Sequence, residues 1–377
     1  MISATRLEAA AAAVTVLSNR PEVTVWALRY FGPWWNAASV AADAVPSGAV
    51  VVADVEPAGY EEVARIVHDG RPTEAVTYAK HPLVVARDGE DVIAASPREG
   101  IAYRSTPSSG RLVLAGTDAQ PLALAAARLA REAIRGQLLR DGWAVLHSSA
   151  VVRPDDGAAL LAFGGKGAGK TATALLLASR GWQLLANDRV LVRPSGERGV
   201  EAVPWPSAAA IGLGLLRSLG WDVIARGYLR AGGRFHPTQH ASVTRALLSG
   251  HHTPLWDGRE RERKVQVFPD QFPGLFGVDL ATGGQVAGLL FPQVDSGGVP
   301  GAGGGSRALG EGDFMSGATE DRYPDVFGLA RGVDGGGRGS ARAEAMARLA
   351  VLPHRAVRVS HDVLASAALL GKVAGGM

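Results

Sequence analysis

Short apolar runs, rich in β-branched and aromatic residues, characterise the first 115 residues of the chain. Such runs favour strands, and two of them are EVTVWALRYF (22–31) and GAVVVADVEP (48–57). The pattern therefore predicts a strand-rich N-terminal domain over residues 1–117.

Two further segments of this region have a specific pattern. HPLVVARDGEDVIAAS (81–96) predicts a hairpin with Asp88 and Gly89 in its turn, because an Asp-Gly pair is favoured in tight hairpin turns. The aromatic segment RYFGPWW (29–35) predicts a core cluster around a Gly-Pro turn. The alternative for this segment is a surface that grips a peptide partner.

From residue 118 onward the pattern changes to helical spacing and then to buried strands. Apolar residues three and four positions apart over 118–142, with Gly142 at the end, predict a helix that links two domains. The segments that follow are GWAVLHSSAVV (142–152, a strand), AALLAFGG (158–165, a buried strand), KTATALLLASRG (170–181, a helix ending at Gly181) and WQLLANDRVLVRP (182–194, a strand). This succession predicts an α/β fold with a sheet for the second domain, residues 118–377.

Glycine dominates much of residues 296–340, where SGGVPGAGGGSRALGEG and GVDGGGRGS contain few apolar residues. A segment of this composition buries too little apolar surface to offset its ordering entropy, so we expect a long mobile insertion. A helix, strand and helix pattern resumes over 344–376. The insertion is therefore expected to lie inside the second domain.

Composition narrows the classes of protein. Basic residues number 39 and acidic residues 36, and acids are interleaved even in the densest basic run, GRERERK (258–264), so we expect a solvated surface there and no nucleic-acid partner. The absence of cysteine excludes disulfides and thiolate metal sites. The N-terminus lacks a signal-peptide pattern, and no run reaches the roughly 18 apolar residues of a membrane span. A cytoplasmic protein without a membrane partner is therefore expected.

The sequence GGKGAGKT (164–171) fits the pattern G-x-x-x-x-G-K-[ST] of loops that bind nucleotide phosphates. Glycines allow successive backbone N–H groups to point at phosphate oxygens, and the following helix adds its positive N-terminal end. Lys170 is expected to reach the β- and γ-phosphates and Thr171 to ligate Mg²⁺, whereas Lys166 is expected to face solvent. The candidate nucleotide-binding residues are Gly164, Gly165, Lys166, Gly167, Ala168, Gly169, Lys170, Thr171 and Ala172.

An acidic residue at the end of a neighbouring strand completes a typical magnesium–nucleotide site. Asp188 follows the apolar run of LLANDRV and is expected to hold Mg²⁺ together with Thr171. The alternative for Asp188 is a residue that caps a turn. Asn187 cannot accept a proton from a hydroxyl and can only orient one through hydrogen bonds.

The spacing between the loop and this acid resembles the bacterial HPr kinase/phosphorylase family and its kinase-like relatives in peptide-natural-product clusters. The resemblance rests on LHSSAVV (146–152) and on residues 160–192, where RGWQLLAND follows the loop lysine in the register of the family's Arg-Gly, an aromatic or His, and Leu-x-Ala-Asp-Asp. It implies a P-loop HPr-kinase-like core, ATP or GTP as donor with Mg²⁺, and a homo-oligomer.

The resemblance also implies roles for single residues. Lys170 and Thr171 match the phosphate-binding lysine and the magnesium-binding hydroxyl, and Asp188 matches the second Asp of the motif. Asn187 stands where the family has a proton-accepting Asp, and Ala172 where it has a Glu. The family's later signature, Glu-Ile-Arg-Gly-Leu-Gly, is absent, so the relatives that phosphorylate small peptides are the nearer comparison.

Two residues outside the loop are further catalytic candidates. His147 is similar to an active-site histidine upstream of the loop, and its alternative is a structural histidine at a strand end. Lys264, in RERKVQVFPDQF (261–272), could contact a phosphate of the nucleotide or substrate, and its alternative is a surface lysine.

Three functions follow from these residues. The first is a kinase that transfers the γ-phosphate to a hydroxyl of a peptide or small-molecule acceptor, with His147 as base or without strong base help. The second is a degenerate kinase that binds nucleotide as a regulatory or scaffold protein, which Asn187 and Ala172 favour. The third is another P-loop enzyme, such as a hydrolase or a nucleotidyl transferase.

Overall fold

The chain folds as a mixed α/β protein in two compact units. The computed structural model describes residues 2–45, 48–69, 72–258, 261–303, 307–315, 324–333 and 335–377. The first unit consists of Met1–Ala144 with Met315–Arg342, and the second of Val145–Phe314 with Ala343–Met377. No helix within the described ranges combines the length and apolarity needed to span a bilayer.

The first unit is built on one large sheet. Its strands are β1 (Ser3–Ala9), β2 (Ala12–Ser18), β3 (Ala38–Val40), β4 (Ala49–Val55), β5 (Thr73–Tyr78), β6 (His81–Asp88), β7 (Asp91–Ser96), β8 (Ile101–Thr106) and β9 (Arg111–Gly116), and its helices are α1 (Pro21–Trp35), α2 (Pro57–His68) and α3 (Ala119–Arg140). The strand order is β3-β1-β2-β4-β9-β8-β7-β6-β5. Within it, β2, β4 and β9 run parallel, and the β5–β9 end is an antiparallel meander.

The predicted strand 22–31 is wrong, because this segment forms α1. Val23, Ala27 and Phe31 are buried at intervals of four residues, and Trp34 and Trp35 continue the same helical face. Propensity favoured a strand because valine, threonine and aromatic residues predominate, but packing of this face decides the conformation. The aromatic cluster is in the core as predicted, although the Gly-Pro pair lies within the helix and forms no turn.

The hairpin 81–96 is confirmed as β6 and β7. Asp88 pairs with Asp91, so Asp88 ends the strand, and Gly89 adopts a φ of 60° in the turn. The segment 48–57 is likewise confirmed as β4.

The second unit is built on the other large sheet. Its strands are β10 (Ala144–Leu146, which begins at the boundary), β11 (Ser149–Val152), β12 (Ala158–Ala162), β13 (Gln183–Ala186), β14 (Val190–Ser195), β15 (Gly199–Pro204), β16 (Ala209–Ile211), β17 (Leu255–Trp256), β18 (Glu262–Arg263), β19 (Val265–Val267), β20 (Gly284–Val294), β21 (Gly301–Ala302) and β22 (His354–Val359). Its helices are α4 (Lys170–Ala178), α5 (Leu213–Ser218), α6 (Trp221–Arg230), α7 (Ala241–Ser249), α8 (Gly339–Ala350, which begins in the first unit) and α9 (Val363–Gly375). In the large sheet, the strand order is β10-β14-β15-β20-β12-β11-β13, with β22 beside β20 and β21 beside β22.

Three parallel strands, β12, β20 and β22, form the centre of this sheet. The apolar run of β12 is buried along most of its length, as its continuous hydrophobic pattern predicts. The predicted helix–strand–helix pattern of 344–376 is confirmed as α8, β22 and α9.

Two of the predicted strands are each divided in two. The segment 142–152 breaks at His147 and Ser148 into β10 and β11, and the segment 182–194 breaks at residues 187–189 into β13 and β14. The halves separate because they pair with different neighbours: β11 lies between β12 and β13, whereas β10 and β14 lie together at the other edge.

The division of the chain differs from the predicted boundary at 117/118. Helix α3 belongs to the first unit, and the chain returns to that unit at Met315–Arg342. The predicted mobile insertion, 296–340, includes residues 304–306, 316–323 and 334, which lie outside the described residues. Within its described part, Phe314, Met315 and Phe327 are buried, while many of its other residues are exposed.

Candidate functional site

The glycine-rich loop joins the carboxyl end of β12 to the first residue of α4. Gly169 has a φ of 100°, a left-handed conformation that side chains disfavour, and a Cβ there would lie 2.8 Å from Val294 Cγ2. Gly164, at the start of the loop, would bring a Cβ within 2.6 Å of the Ala168 side chain. Glycine at both positions therefore lets the loop bend tightly against β20.

Helix α4 begins at Lys170 with Gly169 as its N-cap, and no side chain caps it. The first-turn N–H groups of a helix have no partner within the helix, and they carry the positive end of its dipole. These groups lie directly after the loop and are suited to bind an anion such as a phosphate.

Lys170 is buried and curls back into the loop. Its Nζ donates to the carbonyl oxygens of Gly164, at 2.6 Å, and Gly165, at 3.4 Å. The ammonium thus lies within the curve of the loop, whereas Lys166 is exposed as predicted. The two lysines of the loop therefore have opposite environments.

Asn187 is hydrogen-bonded to three other segments of the site. Its backbone carbonyl accepts hydrogen bonds from Thr171 Oγ1, at 3.2 Å, and Ser149 Oγ, at 2.6 Å. Its side chain accepts a bond from Ser207 Oγ at 3.2 Å, and only 5% of the residue is exposed. Asn187 therefore ties the start of α4 to β11 and to the bend after β13.

His147 and Asp188 face each other at the two chain breaks described above. His147 Nε2 lies 3.5 Å from Asp188 Oδ1, and the side chains are 28% and 44% exposed. A histidine beside a carboxylate, both reachable from solvent, can accept and hold a proton. Asp188 directly follows Asn187, whose backbone carbonyl accepts a hydrogen bond from Thr171, so the chain that bears Asp188 is tied to the start of α4.

The Thr171 hydroxyl, which bonds the Asn187 carbonyl, and the carboxylate of the next residue, Asp188, are oxygen donors of the kind that Mg²⁺ prefers. Among the described residues no cluster of three or more His, Asp or Glu side chains could hold a metal. The donor set fits Mg²⁺ bound by one hydroxyl and one carboxylate together with substrate phosphates and water.

Residues near Asp313 hold the backbone of His147, and the sequence analysis did not identify them. The His147 backbone N–H donates to the Asp313 carbonyl at 2.7 Å, and Leu146 pairs with Phe314. The Asp313 carboxylate accepts hydrogen bonds from both terminal nitrogens of Arg307. This hydrogen bonding raises the pKa of the arginine. The sequence feature that could have indicated these residues is the apolar pair Phe314-Met315, which follows a glycine-rich stretch.

Lys264 lies between β18 and β19, and its Nζ is 3.8 Å from Glu262 Oε2. Strand β19 pairs with β16 in a separate two-stranded sheet. Among the described contacts, the structure brings together the loop, Thr171, Asn187, Asp188 and His147, and does not connect Lys264 to them.

Comparison of the chain with models of known protein families found no match, and a search of curated proteins found none either.

Proposed function

We propose that the second unit is an HPr-kinase-like phosphotransferase with a P-loop core. It would bind ATP or GTP with Mg²⁺ on residues 164–171 and transfer the γ-phosphate to a serine-like hydroxyl of a peptide or small molecule. The observation that carries the proposal is the carbonyl of Asn187, which joins Thr171, at the start of α4, to the chain that bears Asp188. Phosphoryl transfer needs this kind of convergence, because it depends on positioning and charge neutralisation.

The residues of the site divide the proposed reaction between binding and proton transfer. The loop N–H groups and Lys170 bind the β- and γ-phosphates, and Thr171 and Asp188 would hold Mg²⁺, which neutralises phosphate charge. The acceptor oxygen attacks the γ-phosphorus while the bond to the β–γ bridging oxygen breaks, and the nucleoside diphosphate leaves. The hydroxyl proton passes to His147, beside the Asp188 carboxylate.

The two loop lysines provide the test. Lys170→Ala is expected to lower phosphoryl transfer to a hydroxyl-peptide library by about 10²-fold or more, because a group that stabilises the transition-state charge is lost. Lys166→Ala, a matched change in the same loop, should leave transfer within about twofold of wild type. Transfer is measured with γ-³²P-labelled ATP and GTP, and nucleotide binding by calorimetry. Equal activity of the two variants would contradict the proposal.

A second candidate function is a degenerate kinase that binds nucleotide without transferring phosphate. The buried, hydrogen-bonded side chain of Asn187 favours it, because the resembled family has its proton acceptor at this position. His147→Ala and Asn187→Asp separate the two functions. If wild type is inactive and Asn187→Asp gains transfer, the chain is a degenerate kinase; if wild type is active and His147→Ala loses about 10²–10⁴-fold, the first function holds.

A further inference from the structure

The first unit contains a cavity of about 310 Å³ that the proposed reaction does not use. Cavities of about 300 Å³ and above are of the size that holds small molecules. Its walls are the start of β4, the turn from β8 into β9, the second half of α3, and part of residues 324–333, which we call the returning segment. All of these elements belong to the first unit.

The walls of this cavity carry positive charge. Arg111, Arg140 and Arg331 line it, and among the described residues no carboxylate does. Burial lowers the pKa of Arg140, the positive charge of Arg331 lowers it further, and Asp325 acts in the opposite direction. Two guanidinium groups of one cavity thus repel each other, and an anion between them would remove this repulsion.

The returning segment is held firmly against the wall. The Phe327 carbonyl accepts a hydrogen bond from Ser105 Oγ at 3.0 Å, and the Leu329 carbonyl accepts one from Arg140 Nη1 at 2.6 Å. The Asp325 carboxylate accepts the N–H groups of Ala330, at 3.0 Å, and Gly332, at 3.4 Å. These bonds define the turn that carries Arg331.

Arg331 adopts a φ of 51°, the left-handed conformation that residues with side chains rarely take. A residue held in this region costs about 1–3 kcal/mol and persists where the surroundings determine it. The bonds of Asp325 and Arg140 to this segment supply that determination, so the fold fixes the backbone from which the exposed Arg331 side chain extends.

From the cavity, its guanidinium groups and the fixed turn, we infer that the first unit binds a small molecule through an oxyanion, a carboxylate or a phosphate ester, held between Arg140 and Arg331. Guanidinium groups match both anions through two parallel N–H···O bonds. The apolar part of such a ligand would contact Val51, Leu112 and Ala133, which also line the cavity.

The test uses the full chain and three probes: phenyl phosphate, benzoate and inorganic phosphate, each titrated by calorimetry at constant ionic strength. Arg331→Gly removes the charge and suits the left-handed backbone, so this variant should fold. It is expected to weaken binding of at least one probe tenfold or more. Arg98→Gly, at an exposed turn of the same unit, is the matched control. Lys170→Ala separates the cavity from the phosphate loop and should leave this affinity unchanged.

The outcomes are distinct. Binding of phenyl phosphate without benzoate, or of benzoate without phenyl phosphate, supports the inference and assigns the anion. Binding that Lys170→Ala abolishes and Arg331→Gly leaves intact overturns it, and so does the absence of binding by every probe at millimolar concentration. Arg111→Ala provides a second variant if Arg331→Gly lowers the melting temperature.

Discussion

At the residue scale, glycines of one loop differ in what a side chain would meet. Gly169 has a positive φ and lies against Val294, whereas a Cβ on Gly165 would meet no atom within 4 Å. The sequence motif marks both as glycines but does not distinguish these environments. The distinction depends on β20, which lies more than 100 positions further along the chain.

We expect Gly169→Ala to destabilise the second unit by about 1–3 kcal/mol, because the change adds backbone strain and crowds Val294. Gly165→Ala should change the free energy of unfolding by less than about 0.5 kcal/mol. Urea unfolding of the two variants gives the comparison. Equal midpoints for the two would show that the loop can relax around a Cβ at position 169.

His236 provides a pH-dependent prediction. Burial lowers its pKa to about 4, its Nδ1 accepts the Thr238 N–H at 3.3 Å, and its ring packs on Phe268. The folded pKa is below the unfolded value, so the unfolded state binds the proton more readily and stability falls as pH drops from about 6.5 towards 4. Between pH 7 and 5 the loss attributable to His236 is about 2 kcal/mol.

His236→Asn keeps an acceptor near the position of Nδ1 and removes the titration. Denaturant unfolding at pH 7 and pH 5 should show a smaller pH dependence for this variant than for wild type. His361→Asn, at an exposed histidine, is the control and should follow wild type. An identical pH dependence in all three proteins would mean that the pKa of His236 is the same in the folded and unfolded states.

At the element scale, the sequence predicted the strand–loop–helix order around Lys170 correctly, because β12 and α4 are defined by local hydrophobic patterns. It missed α1, where β-favouring residues have a helical burial period. It also missed the breaks at His147 and Asp188, because both segments are apolar on each side of the break. Strand pairing between distant parts of the chain sets these breaks, and a local pattern does not contain that information.

The contact between α3 and the returning segment gives a prediction at the same scale. A Cβ on Gly136 would overlap the Leu329 carbonyl oxygen, which Arg140 holds. Gly136→Ala should therefore destabilise the first unit by about 1–3 kcal/mol or more, despite the better helix propensity of alanine. Gly371→Ala in α9, where a Cβ would meet no atom within 4 Å, should be neutral or stabilising. Thermal unfolding of both variants tests this difference, and a stabilised Gly136→Ala would contradict the packing described.

At the scale of the whole molecule, the chain crosses between its units three times, after residues 144, 314 and 342. Composition does not indicate the return to the first unit, because the few apolar residues that are buried there lie within a glycine-rich stretch. Phe327 lies 5.5 Å from the Tyr78 ring and 5.2 Å from the Tyr103 ring, measured between centroids, and is buried. One aromatic residue of the predicted insertion therefore completes the core of the first unit.

Phe327→Ala is expected to cost the first unit about 3–5 kcal/mol, as large truncations in a core do. Hydrogen exchange followed by mass spectrometry should show faster exchange in β5–β8 and unchanged exchange in β12 and β20. Trp256→Ala, at a residue that is 64% exposed, is the control and should alter neither set of strands. Uniformly faster exchange across the chain would instead indicate that the two units unfold together.

The late position of Phe327 also concerns synthesis on the ribosome. Domains generally fold as units while the chain emerges, with the N-terminal part first. Here the N-terminal sheet emerges long before the aromatic side chain that fills its interior, so the nascent polypeptide carries an unfilled pocket between two tyrosines while residues 145–314 of the second unit are translated. Stalled nascent chains that end before residue 327 should therefore be more sensitive to protease in their N-terminal sheet than released chains.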